Sequence, residues 1–170
     1  MEKHVTTEHG ELNTKSRKLL RIITILGVIA LGVSAYLTYL HFAPEASEFC
    51  NLSDKFNCEI VNKSVYSYID LGFVEVPVSL MGFGFYLFTL VVLCGLLKGW
   101  DFKKLHKSLT ARCVVKIMAW LSVLGTLFSL YLTYIESFVL YTYCIFCLTS
   151  QVLVFLMTVL FFVTAKKMKK

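Results

Sequence analysis

The chain has 170 residues, of which 57% are hydrophobic and 16% charged, and this composition is too apolar for an ordinary soluble domain. The net charge of +6 comes from Lys and Arg residues grouped beside long apolar stretches, a pattern that excludes the continuous basic face of a nucleic-acid-binding protein. We therefore expect a single-domain integral membrane protein.

Four uncharged stretches predict four transmembrane helices. Each of the first three has about the 20 helical residues that cross a bilayer core of about 30 Å. The fourth is longer, so its start is expected in the membrane interface. The first stretch follows a polar head and lacks a clear cleavage site, which is typical of a retained anchor. The stretches are 22–40, 78–97, 117–135 and 137–165. The predicted fold class is an all-α membrane protein, a four-helix bundle with a cysteine-bearing outer loop between helices 1 and 2.

The distribution of basic residues predicts the orientation of the bundle. Lys and Arg cluster at both ends of the chain and between the second and third stretches, whereas the segment after the first stretch holds only Lys55 and Lys63. Because basic residues stay on the cytoplasmic side, both termini are predicted in the cytoplasm. The predicted parts are a cytoplasmic tail 1–21, a membrane domain 22–165 with an outer loop 42–77 and a cytoplasmic loop 98–116, and a basic cytoplasmic tail 166–170.

Four of the six cysteines are thereby predicted on the outer face, where disulfides persist. Cys50 and Cys58 flank a polar, turn-rich segment of the outer loop, and Cys144 and Cys147 form a Cys-x-x-Cys motif near the start of the fourth stretch. Of the other two cysteines, Cys94 lies within the second stretch and Cys113 near the cytoplasmic start of the third. Both are expected to be small apolar side chains without a chemical role.

The Cys-x-x-Cys motif favours redox chemistry. Residues i and i+3 share a helix face, and the free N–H groups and dipole of a helix N-terminus favour a thiolate, the species that attacks disulfides. Two cysteine pairs on one face of the membrane predict a relay of thiol–disulfide exchange. The sequence has no haem, iron–sulfur or dinucleotide motif, so a quinone dissolved in the lipid is the expected electron acceptor. A zinc site made by all four cysteines is an alternative that their spacing fits poorly.

The sequence resembles the vitamin K epoxide reductase family, especially its prokaryotic members that oxidise thiols with a quinone. The resemblance extends from about residue 27 to residue 154. It rests on the segments SAYLTYLHF, CEIVNKSVYS, VPVSLMGFGFY and SLYLTYIESFVLYTYCIFC, which occur in the family's order. It implies a four-helix bundle around a quinone pocket that the outer loop caps.

The same resemblance implies roles for individual residues. Cys147 would lie next to the quinone, Cys144 would exchange with a loop cysteine, and Ser64 matches a serine important near the active site. The residues that the resemblance places in the quinone pocket are Met81, Phe85 and Leu132.

Three other positions keep alternatives open. Val78 and Gln151 stand where the animal enzymes have Asn and Tyr, which favours the thiol-oxidase branch over epoxide reduction. Gln151 lies four residues after Cys147, so it either hydrogen-bonds the quinone carbonyl or satisfies a neighbouring helix. Glu136 is the only charged residue between the third and fourth helices. We expect it at a solvated loop end, with assistance to proton release as the alternative.

The predicted function is that of an oxidoreductase acting on thiols, with a quinone (ubiquinone or menaquinone) as acceptor and no metal. The electron donor is expected to be a separate thioredoxin-fold, DsbA-like protein, because the 170 residues leave no room for a fused thioredoxin domain. The expected location is a prokaryotic inner membrane, with the active site on the periplasmic face. Two alternatives stay open: a vitamin K epoxide or quinone reductase of a eukaryotic endoplasmic reticulum membrane, and a non-enzymatic membrane protein stapled by disulfides.

Overall fold

The computed structural model describes residues 14–43, 50–53, 55–70, 72, 75–100 and 110–168. Four long helices dominate it, and all are long and apolar enough to cross a membrane. They are α1 (Thr14–Phe42), α3 (Val78–Lys98), α4 (Ala111–Ile135) and α5 (Ile145–Lys167). The predicted four-helix membrane bundle is therefore confirmed. Parts of the predicted tails and loops lie outside the described residues, namely 1–13, 44–49, 54, 71, 73–74, 101–109 and 169–170.

The ends of α3 and α4 follow from local chemistry. Pro77 precedes α3 in an extended conformation, and α3 ends at Gly99, which adopts the left-handed conformation (φ 74°) that closes many helices. The side chain of Thr110 caps the start of α4 by accepting a hydrogen bond from the N–H of Cys113. Gly99 is therefore suited to the end of α3, and Thr110 to the start of α4.

The apolar stretch 137–165 does not form one continuous helix. Its first residues continue α4 as a π-helical turn (Glu136–Leu140), which ends at Tyr141 in a left-handed conformation with φ 54°. The chain then turns back, and α5 begins only after Cys144. This reversal brings the Cys-x-x-Cys motif to the start of the last helix.

Helix α1 packs against both α3 and α5, and α4 packs against α5. A Cβ atom at Gly27 would lie only 3.0 Å from Leu90 Cδ2, so this glycine permits the close approach of α1 and α3. The hydroxyls of Thr126 and Thr158 are 3.1 Å apart and join α4 to α5. Within the described residues, α3 and α4 make little direct contact. The bundle is therefore open between these two helices.

The segment between α1 and α3 forms a small cap at one end of the bundle. Its described residues form two antiparallel hairpins and one short helix. Their bounds are β1 (Asn51–Ser53), β2 (Phe56–Asn57), α2 (Cys58–Asn62), β3 (Tyr68–Asp70) and β4 (Glu75–Pro77). The predicted cysteine-bearing loop thus has regular structure where it is described.

Candidate functional site

The two predicted cysteine pairs are both disulfide-bonded and lie together. The Cα atoms of Cys50 and Cys58 are 5.5 Å apart, and those of Cys144 and Cys147 are 5.1 Å apart. The first three of these side chains are almost completely buried, in one cluster with Leu37 and Val61, and Cys147 packs against its edge. We call Leu37, Cys50, Cys58, Val61 and Cys144 the cysteine cluster.

Backbone hydrogen bonds hold the loop pair next to the Cys-x-x-Cys motif. The N–H of Asn57 donates to the carbonyl of Tyr143 (3.1 Å), and the N–H of Tyr143 donates to the carbonyl of Lys55 (2.8 Å). Phe56 and Tyr143 accordingly form a parallel bridge. The residues just before Cys58 are therefore aligned with the residue just before Cys144.

A second contact docks the loop on α1. The side-chain amide of Asn62, which is buried, donates to the carbonyl of Leu37 at 2.7 Å. The carbonyl of Asn62 lies 2.7 Å from Nδ1 of His41, which donates to it. These two bonds fix the end of α2 against the helix that carries Leu37, one of the residues of the cysteine cluster.

Cys144 is the N-cap residue of α5. Its sulfur accepts a hydrogen bond from the N–H of Cys147 at 3.2 Å, and its carbonyl accepts one from Leu148. The predicted position of the motif at a helix N-terminus is confirmed. A thiolate on Cys144 would face the free N–H groups and the positive end of the dipole of α5, which stabilise negative charge.

A cavity of about 410 Å³ lies beside the cysteine cluster. Its wall is mostly apolar, with residues from the cap and from all four long helices, and Cys147 forms part of it. Three of its wall residues, Met81 on α3 and Leu124 and Phe128 on α4, are also exposed on the surface of the bundle. The cavity therefore reaches the surface between α3 and α4, where the two helices separate.

The cavity has the properties of a site for a largely apolar molecule with a few polar atoms. Its volume lies in the range of roughly 300–1,000 Å³ that is usual for small-molecule sites. The buried hydroxyl of Ser79 lies on the wall and has no hydrogen-bond partner among the described residues. A quinone head group fits this combination, because its ring is apolar and its carbonyl oxygens accept hydrogen bonds from such a donor.

Most of the residues predicted for the quinone pocket lie on the wall of this cavity. Ser64, Met81, Phe85 and Leu132 all line the cavity, and Ser64 also closes the end of α2 by donating to the carbonyl of Val61. Their contact with a quinone stays a prediction.

Gln151 is placed differently, since it does not line the cavity. Its side-chain oxygen accepts a hydrogen bond from the hydroxyl of Thr133 on α4. This contact matches the packing alternative for Gln151, and its role as a quinone ligand stays a prediction. Val78 does line the cavity.

The expectation for Glu136 is wrong, because this residue is not at a solvated loop end. Only 3% of its surface is exposed, and it lines the cavity. Its carboxylate accepts a hydrogen bond from the N–H of Cys144 at 3.2 Å. The π-helical turn and the reversal after Tyr141 fold the chain over it. The sequence feature that could have indicated a functional role for Glu136 is its position as a single charge within a long apolar region.

The remaining cysteines, Cys94 and Cys113, are free and lie away from the cavity wall. In the described part of the chain, no group of three or more His, Cys, Asp or Glu side chains is arranged to hold a metal ion.

A family model described as the vitamin K epoxide reductase family matches residues 21–162, which is most of the chain. The chain belongs to the vitamin K epoxide reductase family. The resemblance drawn from its sequence motifs is thus confirmed, and membership supports a membrane oxidoreductase that acts on thiols and quinones. Among curated proteins no match was found.

Proposed function

We propose that this member of the vitamin K epoxide reductase family is a thiol oxidase that makes disulfides and reduces a membrane quinone. One observation carries the proposal. Cys144 lies in the cysteine cluster with the loop pair, whereas Cys147, bonded to it, lines the apolar cavity. The Cys-x-x-Cys motif therefore joins a site of disulfide exchange to a site suited to a quinone.

The first half of the proposed reaction is disulfide exchange. The dithiol of a separate thioredoxin-fold protein attacks the Cys50–Cys58 disulfide through a mixed disulfide, which leaves the partner oxidised and the loop pair reduced. A loop thiolate then attacks the sulfur of Cys144 and releases Cys147 as a thiolate. The second loop cysteine resolves the mixed disulfide, so the loop disulfide forms again and the Cys-x-x-Cys pair is reduced.

The second half takes place at the cavity. The two cysteines of the reduced motif give two electrons and two protons to the quinone, and the Cys144–Cys147 disulfide forms again. The wall residues Met81, Phe85 and Leu132 would hold the quinone ring in contact with Cys147. Substrate entry between α3 and α4 is supported by the separation of these helices, because a quinone's apolar tail can stay in the lipid.

Burial of the loop disulfide adds a conformational step. Cys50 is 1% exposed and Cys58 is fully buried, so a soluble partner reaches neither sulfur in the docked loop. The loop must leave the cysteine cluster to meet the partner and return to reduce Cys144. In the described residues the docked loop is held by the backbone bonds to Tyr143, by the side chain of Asn62 and by apolar packing within the cysteine cluster, so these contacts must break when the loop leaves.

The basic clusters support an orientation with the cap on the outer, periplasmic face and both termini in the cytoplasm. In that arrangement the loop pair faces an oxidising compartment, where newly made disulfides persist.

Steady-state turnover tests the proposal. Purified protein in detergent is mixed with a reduced thioredoxin-fold partner and either ubiquinone or menaquinone, and quinone absorbance is followed. We expect one quinone consumed for each partner disulfide formed. The C144A variant should lose this activity and the matched C113A variant should keep it. Conversion of vitamin K epoxide with a dithiol donor, in place of quinone consumption, would instead establish the epoxide reductase.

A further inference from the structure

Glu136 connects the Cys-x-x-Cys motif to the cavity. Its carboxylate accepts a hydrogen bond from the N–H of Cys144 at 3.2 Å, and its backbone carbonyl accepts one from the N–H of Thr142, also at 3.2 Å. The same side chain forms part of the cavity wall together with Cys147. Of the described residues that line the cavity, Glu136 is the only one with a charged side chain.

Burial of this carboxylate calls for a functional explanation. A buried carboxylate is costly unless it is well compensated, and among the described residues no Lys or Arg forms an ion pair with it. A leucine would fill such a wall without that cost. What the carboxylate of Glu136 offers at this position, and leucine does not, is the ability to gain and lose a proton.

The other titratable groups of the cavity are less suited to carry protons. They are Tyr66, Tyr86 and Cys147. The hydroxyl of Tyr86 is 2.9 Å from the hydroxyl of Ser150, and Tyr66 is 40% exposed at the cap. On the elements packed nearby, His41 donates to the carbonyl of Asn62, and Lys63 pairs with Glu59 at the exposed side of α2.

We propose that Glu136 is the proton-transfer residue of the site, an inference that rests on the proposed thiol–quinone chemistry. Its carboxylate accepts the proton of the Cys147 thiol, and then that of Cys144, as the two thiolates give up their electron pair and form the disulfide. Glu136 passes the first proton to one quinone oxygen and the second proton to the other. Two electrons and two protons leave the dithiol and arrive on the quinone, and Glu136 ends ionised, as it began.

The substitution E136Q tests this inference because it removes the proton-carrying group and keeps a side-chain oxygen that can accept the N–H of Cys144. The protein is first reduced with a dithiol and freed of it. The rate of quinone reduction in a single turnover is then measured across pH, in H₂O and in D₂O. General acid–base groups contribute about 10²–10⁴-fold to rates, so we expect a loss of at least about 100-fold at neutral pH. We also expect loss of the pH dependence that the unchanged protein shows.

The control is E59Q, the same substitution at a partly exposed carboxylate of α2 that does not line the cavity, which should leave the rate unchanged. Reduction of the Cys-x-x-Cys pair by the partner without quinone should survive in E136Q, which shows that the variant is folded. A third variant, E136L, also removes the hydrogen bond to Cys144.

The outcomes are distinct. If E136Q matches the unchanged protein in rate and pH profile and only E136L is slow, Glu136 has a structural role and the inference is overturned. If the unchanged protein itself fails to reduce any quinone, the proposed function fails instead.

Discussion

Replacement of Gly125 by leucine (G125L) should fill part of the cavity and weaken quinone binding while every cysteine is kept. Gly125 lies on the cavity wall in α4, and a Cβ atom there would lie 3.6 Å from Val154 and 3.9 Å from the ring of Phe85. These are ordinary contact distances, so G125A should be tolerated. The longer side chain of G125L must extend into the space beside Phe85 and Val154, which both line the cavity.

The size of the effect follows from the cost of overpacking. Forcing extra carbon atoms into a filled site costs about 1–3 kcal/mol, and each 1.4 kcal/mol is a factor of ten, so the KM for quinone should rise by about 5- to 150-fold. Initial rates at saturating partner and varied quinone measure this. The matched control is G84L on α3, because Gly84 is exposed and a Cβ atom there meets nothing within 4 Å.

Retained exchange between the partner and the Cys-x-x-Cys pair would show that G125L is folded. An unchanged KM for quinone in that folded variant would refute the assignment of the cavity as the quinone site.

Three further predictions concern single contacts. The C147A variant should lose quinone reduction, and C94A should keep it, in a turnover assay; an inactive C94A would contradict the division of the cysteines. The N62A variant removes the bond to the Leu37 carbonyl, worth about 1 kcal/mol, so undocking of the loop should increase about fivefold. Undocking is measured as the rate at which the reduced loop thiols are alkylated, which should rise in N62A. An unchanged alkylation rate would show that the bond does not hold the loop. Y86F removes the bond to Ser150 and should lower stability by about 0.6 kcal/mol, measured as a lower thermal midpoint. An unaltered midpoint would mean that this bond adds no stability.

The main features of the fold could be predicted from the sequence because length and apolarity alone determine membrane spans. The first apolar residue of the second stretch, Val78, is also the first residue of α3. The sequence also placed the Cys-x-x-Cys motif near a helix start, where Cys144 is the N-cap residue.

The boundary between α4 and α5 could not be predicted in the same way. The stretch 137–165 contains no charge that would mark a turn, and the turn depends on the left-handed conformation of Tyr141. The burial of Glu136 follows from that turn. Local polarity predicts exposure of a glutamate, whereas the folded-back chain covers it.

Long-range pairings were likewise inaccessible to sequence reasoning. The backbone bonds between the loop and Tyr143 involve no side-chain pattern. Gln151 shares a helix face with Cys147, as its spacing predicts, yet its hydrogen bond goes to Thr133 on a neighbouring helix. Which of two polar partners a side chain takes depends on the packing of the helices, which spacing within one helix does not contain.

The central claim is that electrons pass from the cysteine pairs to a quinone through Cys147, and a thiol count after a single addition of quinone tests it most directly. The protein is fully reduced, freed of reductant, mixed with one equivalent of quinone, and alkylated for mass spectrometry. The account predicts that one cysteine pair becomes oxidised for each quinone reduced, and that the C147A variant shows neither change. If the four cysteines of the two pairs stay reduced beside intact quinone, in folded protein, that result would contradict it.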